Sequence, residues 1–171
     1  MTPNTEQQPA DRAVTAGYSA PSGHAKYYFA RTDSNLHGFI HHPPGLPILC
    51  KTLKNKAAHS VSSEAGNIGL CFEWEHYIKP GSLLQIEIPL RGEIQKFSGR
   101  GILVRSKDSG FEIGIWLDNK SDSARIRIVE QICHIEVYLK HKRHHEGPFV
   151  SPERVAQEWI NRFASRFPSF G

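Results

Sequence analysis

Between Leu83 and Leu117 apolar side chains recur at every second position, and this rhythm limits what the chain can fold into. Leu84, Ile86, Ile88 and Leu90 alternate with Gln85, Glu87 and Pro89, and Phe111, Ile113, Ile115 and Leu117 alternate with Glu112, Gly114 and Trp116. Successive side chains on a strand point to opposite faces, so each run buries one face and wets the other. Arg91-Gly92-Glu93 and Lys107-Asp108-Ser109-Gly110 break the runs as turns, which points to antiparallel neighbours. Phe97, Leu103 and Val104 belong to the strand between them, and Gly99 and Gly101 inside it suit a bulge or sharp bend. Nothing in this stretch has a catalytic pattern.

A chain of 171 residues is long enough to bury one core without covalent staples. Cys50, Cys71 and Cys133 are odd in number and lie in apolar settings without paired spacing. They read as buried free thiols of a reducing compartment, with neither a disulfide frame nor a metal site expected. Residues 1–20 are polar and lack the apolar segment of a secretion signal. No run approaches the roughly 20 apolar residues of a membrane helix, so a cytoplasmic protein without membrane contact is the default. The net charge of +4 is mild and dispersed apart from Lys140–Arg143, which argues against a nucleic-acid polymer as partner.

In chain order, residues 1–23 have the composition of a disordered tail, and Tyr27-Tyr28-Phe29 is the first apolar cluster, suited to docking on the domain or on a partner. His37–Ile48 contains three prolines and two glycines and is expected to be an extended surface loop. Strands are expected at Ile48–Leu53, Ala57–Ser62 and Ile68–Trp74, with a turn around Ser62–Asn67 and another at Pro80-Gly81. From Ser121 the period changes to that of a helix. Ile128, Ile132, Ile135 and Leu139 make its apolar stripe, with Ser121 or Asp122 as cap and Glu130 on the wetter side. Lys140–Gly147 reads as a polar linker. Ser151-Pro152-Glu153 then starts a second helix whose Val155, Trp159, Ile160 and Phe163 share a face, followed by Phe167, Pro168 and Phe170. Burial of these helices against their own domain is the plain expectation; a partner contact or a homodimer seam is the alternative.

Several stretches together resemble the PilZ family. They are Gly69-Leu70, Pro80-Gly81-Ser82, Gly101-Ile102-Leu103-Val104, Phe111-Glu112-Ile113-Gly114, the segment Arg125–Glu136, and Glu158-Trp159-Ile160 with Phe167-Pro168. The resemblance spans Leu36 to Pro168 and implies a mainly β fold, a six-stranded antiparallel barrel with two C-terminal helices. On it the chain divides into a tail (1–23), the barrel with its following helix (24–140), and a linker with the last helix (141–171). It further implies a bacterial regulator that binds the second messenger cyclic di-GMP and acts on motility and biofilm behaviour. The family grips the nucleotide with two arginines in the entry loop and with an acid or amide, a serine and a glycine in a following turn. The corresponding positions here are His37 and His41, beside His42, and then Glu64, Gly66 and Gly69. Only Gly69 matches.

That departure has a physical consequence. Arginine presents a permanently charged planar fork that holds phosphate at two points, whereas a neutral imidazole offers one donor and one acceptor. Each lost charge-assisted hydrogen bond costs about 1.5–3 kcal/mol. The expectation is therefore a non-enzymatic adaptor acting through protein contact, with nucleotide binding weakened or lost. The alternative is a receptor in which protonated His37 and His41 replace the arginines. The remaining histidines, His141, His144 and His145, lie in a polar run and read as solvated, and no cofactor is expected. No nucleophile elbow, phosphate loop or paired His-Glu helix motif is present, so an enzyme is not expected.

Overall fold

The computed structural model describes residues 38–54 and 68–167. The expected tail, the Tyr27–Phe29 cluster, the expected strand at Ala57–Ser62, Pro168, Phe170, and the site positions His37, Glu64 and Gly66 lie outside the described residues. Six strands precede two helices: β1 (Phe39–His41), β2 (Leu49–Thr52), β3 (Gly69–Trp74), β4 (Leu83–Leu90), β5 (Glu93–Lys107), β6 (Gly110–Leu117), α1 (Lys120–Glu146) and α2 (Pro152–Phe163).

The strands form one sheet in the order β1-β3-β6-β5-β4-β2. β1 pairs parallel to β3 and the other pairings are antiparallel, so the sheet is mixed. Two expectations are corrected here. Part of the expected entry loop is a strand, because β1 completes its hydrogen bonds on the free edge of β3. The sheet is also open: β1 and β2 end the order and do not pair with each other among the described residues, so it is not a barrel.

The two-residue rhythm does what its pattern requires. Leu84, Ile86 and Ile88 are fully buried, and Ile86 faces Phe97 across the ladder. Arg91 and Gly92, both at positive φ (51° and 84°), make the two-residue hairpin turn between β4 and β5. Between Gly101 and Leu103 the register with β6 shifts, which is the bulge expected from the glycines in this strand. Gly99 is required for a second reason: a Cβ there would collide with the Trp116 carbonyl.

α1 covers one face of the sheet, burying Ile126, Val129 and Cys133 against Leu70, Phe72, Ile113, Ile115 and Leu117. Its cap is Asn119, whose Oδ1 accepts from the Asp122 amide at 2.7 Å; neither expected cap has that role. The buried face is also rotated from the expected stripe: Ile128 is 57% exposed, while Glu130 and His134 are buried. Nor is Lys140–Gly147 a linker. The helix continues to Glu146, where Lys142 and Arg154 pair with its carboxylate at 2.7 and 2.8 Å, and Gly147 (φ 99°) ends it.

α2 starts as expected, with Ser151 Oγ accepting from the Arg154 amide and Pro152 in the first turn. Val155 and Trp159 are fully buried and pack with Phe167, Val137 and Tyr138 of the same chain; Ile160, expected on that face, is 45% exposed.

Candidate functional site

The segment from His41 to Leu46 lies between the sheet and α1, and its side chains divide between two environments. On a strand consecutive residues face opposite ways. His42, just past β1, continues the ladder by donating its amide to the Cys71 carbonyl at 2.8 Å, and its ring turns towards α1. There Nδ1 lies 2.9 Å from Glu130 Oε1, with the two side chains only 4% and 0% exposed. Nε2 lies 3.3 Å from the Leu46 carbonyl. The Leu46 carbonyl can only accept, as can an ionised Glu130, so with Glu130 charged both ring nitrogens donate and the two side chains form a buried ion pair. Burial alone would pull its pKa down, but the charge and hydrogen bond of Glu130 and the Leu46 carbonyl outweigh that and raise it. The expectation that these histidines sit on the surface is corrected for His42.

His134, one turn beyond Glu130, is the second clamp. Its Nε2 lies 2.8 Å from the His41 carbonyl, so this nitrogen carries the proton. Burial lowers its pKa, which keeps the ring neutral, and it packs edge-on against Phe167. Its Nδ1 and the second oxygen of Glu130 are buried without a hydrogen-bond partner among the described residues. α1 thus holds this segment twice, by a side-chain ion pair and by a backbone carbonyl.

The His41 ring faces the other way. The register pairs His41 with Cys71 on β3 and Cys71 with Gly114 on β6, and Glu112 lies two positions from Gly114 on the same face. The result is a trio, His41, Cys71 and Glu112, whose potential ligand atoms all lie within 4.8 Å of one another. Glu112 also forms ion pairs with Lys107 at 3.3 Å and Arg105 at 3.5 Å. Burial, with the Glu112 charge, pushes the Cys71 thiol up to about 12, against the opposing pull of Lys107 and Arg105. A cavity of about 280 Å³ opens beside this trio, walled also by Pro43, Leu46 and His134. A second trio of ligand atoms, His42, Glu130 and Cys133, is fully buried on the α1 side.

Of the expected site residues, His41 and His42 are brought close to each other but given separate partners. Gly69 opens β3, and a Cβ there would meet the Phe39 ring at 2.5 Å and the Ile115 carbonyl at 2.8 Å, so packing alone demands glycine. His144 and His145 sit with Arg143 in the last turn of α1, where positive charge suits the helix dipole. Sequence reasoning missed Glu130, His134, Cys71 and Glu112. The available signal was a Glu and a His one turn apart, inside a helical face otherwise built of Ile126, Val129 and Cys133. No family model matches this chain, and no curated protein or solved structure matches it either.

Proposed function

We propose that this chain is a non-catalytic, PilZ-like regulatory module of cyclic di-GMP signalling that acts through protein contact, with the nucleotide grip weakened or lost. His42 carries this reading. A cyclic dinucleotide needs cations and donors directed outward from the entry loop. The imidazolium in this loop is turned inward instead, with one N–H committed to Glu130 and the other to Leu46. Gly69, which matches the family motif, has a packing reason to be glycine. Phe149, 99% exposed between the two helices, is the type of anchor residue that protein contacts use.

Calorimetric titration of the full chain with cyclic di-GMP, in chelator-containing buffer at pH 7.5 and 5.5, tests the reading. Silence at both values is expected. Heat saturating in the micromolar range at pH 7.5 overturns it. Binding confined to pH 5.5, and removed by His41→Ala, replaces it with a receptor gripped by histidine charge.

A further inference from the structure

We propose that His41, Cys71 and Glu112 form a binding site for a zinc-type divalent metal ion, with the fourth coordination position open to the adjoining cavity. The inference is independent of any nucleotide and of the family reading.

The donor set is an imidazole, a thiol and a carboxylate, the mixture that zinc accepts and that magnesium and calcium do not. Three strands supply it: β1, β3 and β6 each contribute one ligand from one face of the sheet, at positions fixed by backbone pairing. Metal–ligand lengths of about 2.0–2.3 Å place tetrahedral ligand atoms roughly 3.4–3.7 Å apart. The three atoms here lie within 4.8 Å of one another, so closing on an ion takes shifts of about an ångström.

The support around the ligands fits the same use. His134 fixes the His41 carbonyl, which holds the end of β1 in place. Arg105 and Lys107 already orient the Glu112 carboxylate. On binding, the Cys71 S–H bond breaks, a metal–sulfur bond forms, and the proton leaves to buffer; no electron is transferred. With Glu73 paired to Lys107, the dication leaves one positive charge in excess around the site. An anionic oxygen arriving through the cavity is therefore the favoured fourth ligand. The other trio is less suited, because a metal there would have to break the His42–Glu130 ion pair.

Untagged full-length protein, stripped with chelator, is titrated with Co2+ while its near-ultraviolet and visible spectra are recorded, and Zn2+ is then added in competition. The expected result is saturation at one ion per chain, with a thiolate-to-cobalt charge-transfer band that Zn2+ removes. Cys71→Ser should abolish the band. His41→Ala, at a partly exposed position, should weaken affinity at least about tenfold with the native circular dichroism retained. No thiolate band, or a band that survives both substitutions, overturns the proposal. A band lost in Cys133→Ala but kept in Cys71→Ser also overturns it and moves the site to the buried trio.

Discussion

His42→Ala is the substitution on which the account of the entry segment can be judged most directly. It leaves Glu130, 0% exposed, with a carboxylate whose nearer oxygen has lost its 2.9 Å partner and whose other oxygen has no hydrogen-bond partner among the described residues. Removing one member of a buried ion pair costs about 3–5 kcal/mol, most of it the desolvation of the charge left behind. Against a total stability of about 5–15 kcal/mol that is a large fraction. At an m-value of about 2 kcal/mol/M it would move the urea midpoint down by roughly 1.5–2.5 M. Replacing both partners by apolar side chains, His42→Leu with Glu130→Met, removes the stranded charge as well and should return stability to within about 1 kcal/mol of the parent. The assay is equilibrium urea unfolding followed by tryptophan fluorescence, with Trp159 as a buried reporter on α2. Glu130→Gln should fall between the extremes, keeping the shape while losing a charge-assisted bond worth about 1.5–3 kcal/mol. A double-mutant cycle then isolates the coupling. If His42→Ala unfolds within 1 kcal/mol of the parent, or if the double substitution is worse than either single one, the buried pair is not what holds this segment to α1.

Two further outcomes follow from local geometry. Gly69→Ala drives a methyl group into the Phe39 ring and the Ile115 carbonyl, an overpacking cost of about 1–3 kcal/mol that thermal unfolding would register; an unchanged melting temperature would mean β1 is not held where Phe39 places it. At the α1–α2 contact, burial raises the Glu158 pKa but is outweighed by the hydrogen bond from Tyr138 at 2.5 Å and by Lys142 and Arg162, so it lies below its ordinary 4.5. A depressed carboxylate stabilises fully above its unfolded value and stops doing so as pH falls through its folded one. The melting temperature should therefore decline below pH 4.5, and less steeply in Glu158→Gln; equal slopes would show that the contact does not discriminate between the charged and neutral acid.

The parts of this fold that could be read from the sequence are those whose cause is local. Ile86, Ile88, Ile113 and Ile115 are buried because a period of two is written into their own segments, and Ser151-Pro152 starts α2 because the cap and its first turn are contiguous. β1 escaped because three residues are too few to carry a period, and because its hydrogen-bonding partner lies across a parallel pairing to β3. Closure escaped for a related reason: alternation tells a strand which face to bury, but says nothing of whether the two outermost strands meet. On α1 the apolar count favoured Ile128, whereas the buried face turns through Glu130 and His134. A periodicity argument scores both as wet. They are buried because their partners wait 88 and 93 positions earlier in the chain, a distance over which local patterning carries no information.

The same geometry explains why two adjacent histidines, indistinguishable as residue types, end with different chemistry. β1 turns successive side chains to opposite faces, and the faces differ: one meets the apolar underside of α1, the other a polar corner formed by Cys71, Glu112, Arg105 and Lys107. On the first face a lone imidazole would be costly, and only a carboxylate supplied by α1 makes it tolerable, so His42 becomes a charged structural latch. On the second face charges of both signs are already present beside the cavity, and His41 keeps a ring nitrogen within 4.8 Å of a thiol and a carboxylate. The latch therefore sets where the second site is built. By fixing the segment from His41 to Leu46 against the helix, His42 and His134 determine the register in which His41 meets Cys71. A loop free to move would spread that imidazole over many positions and dilute any affinity it has.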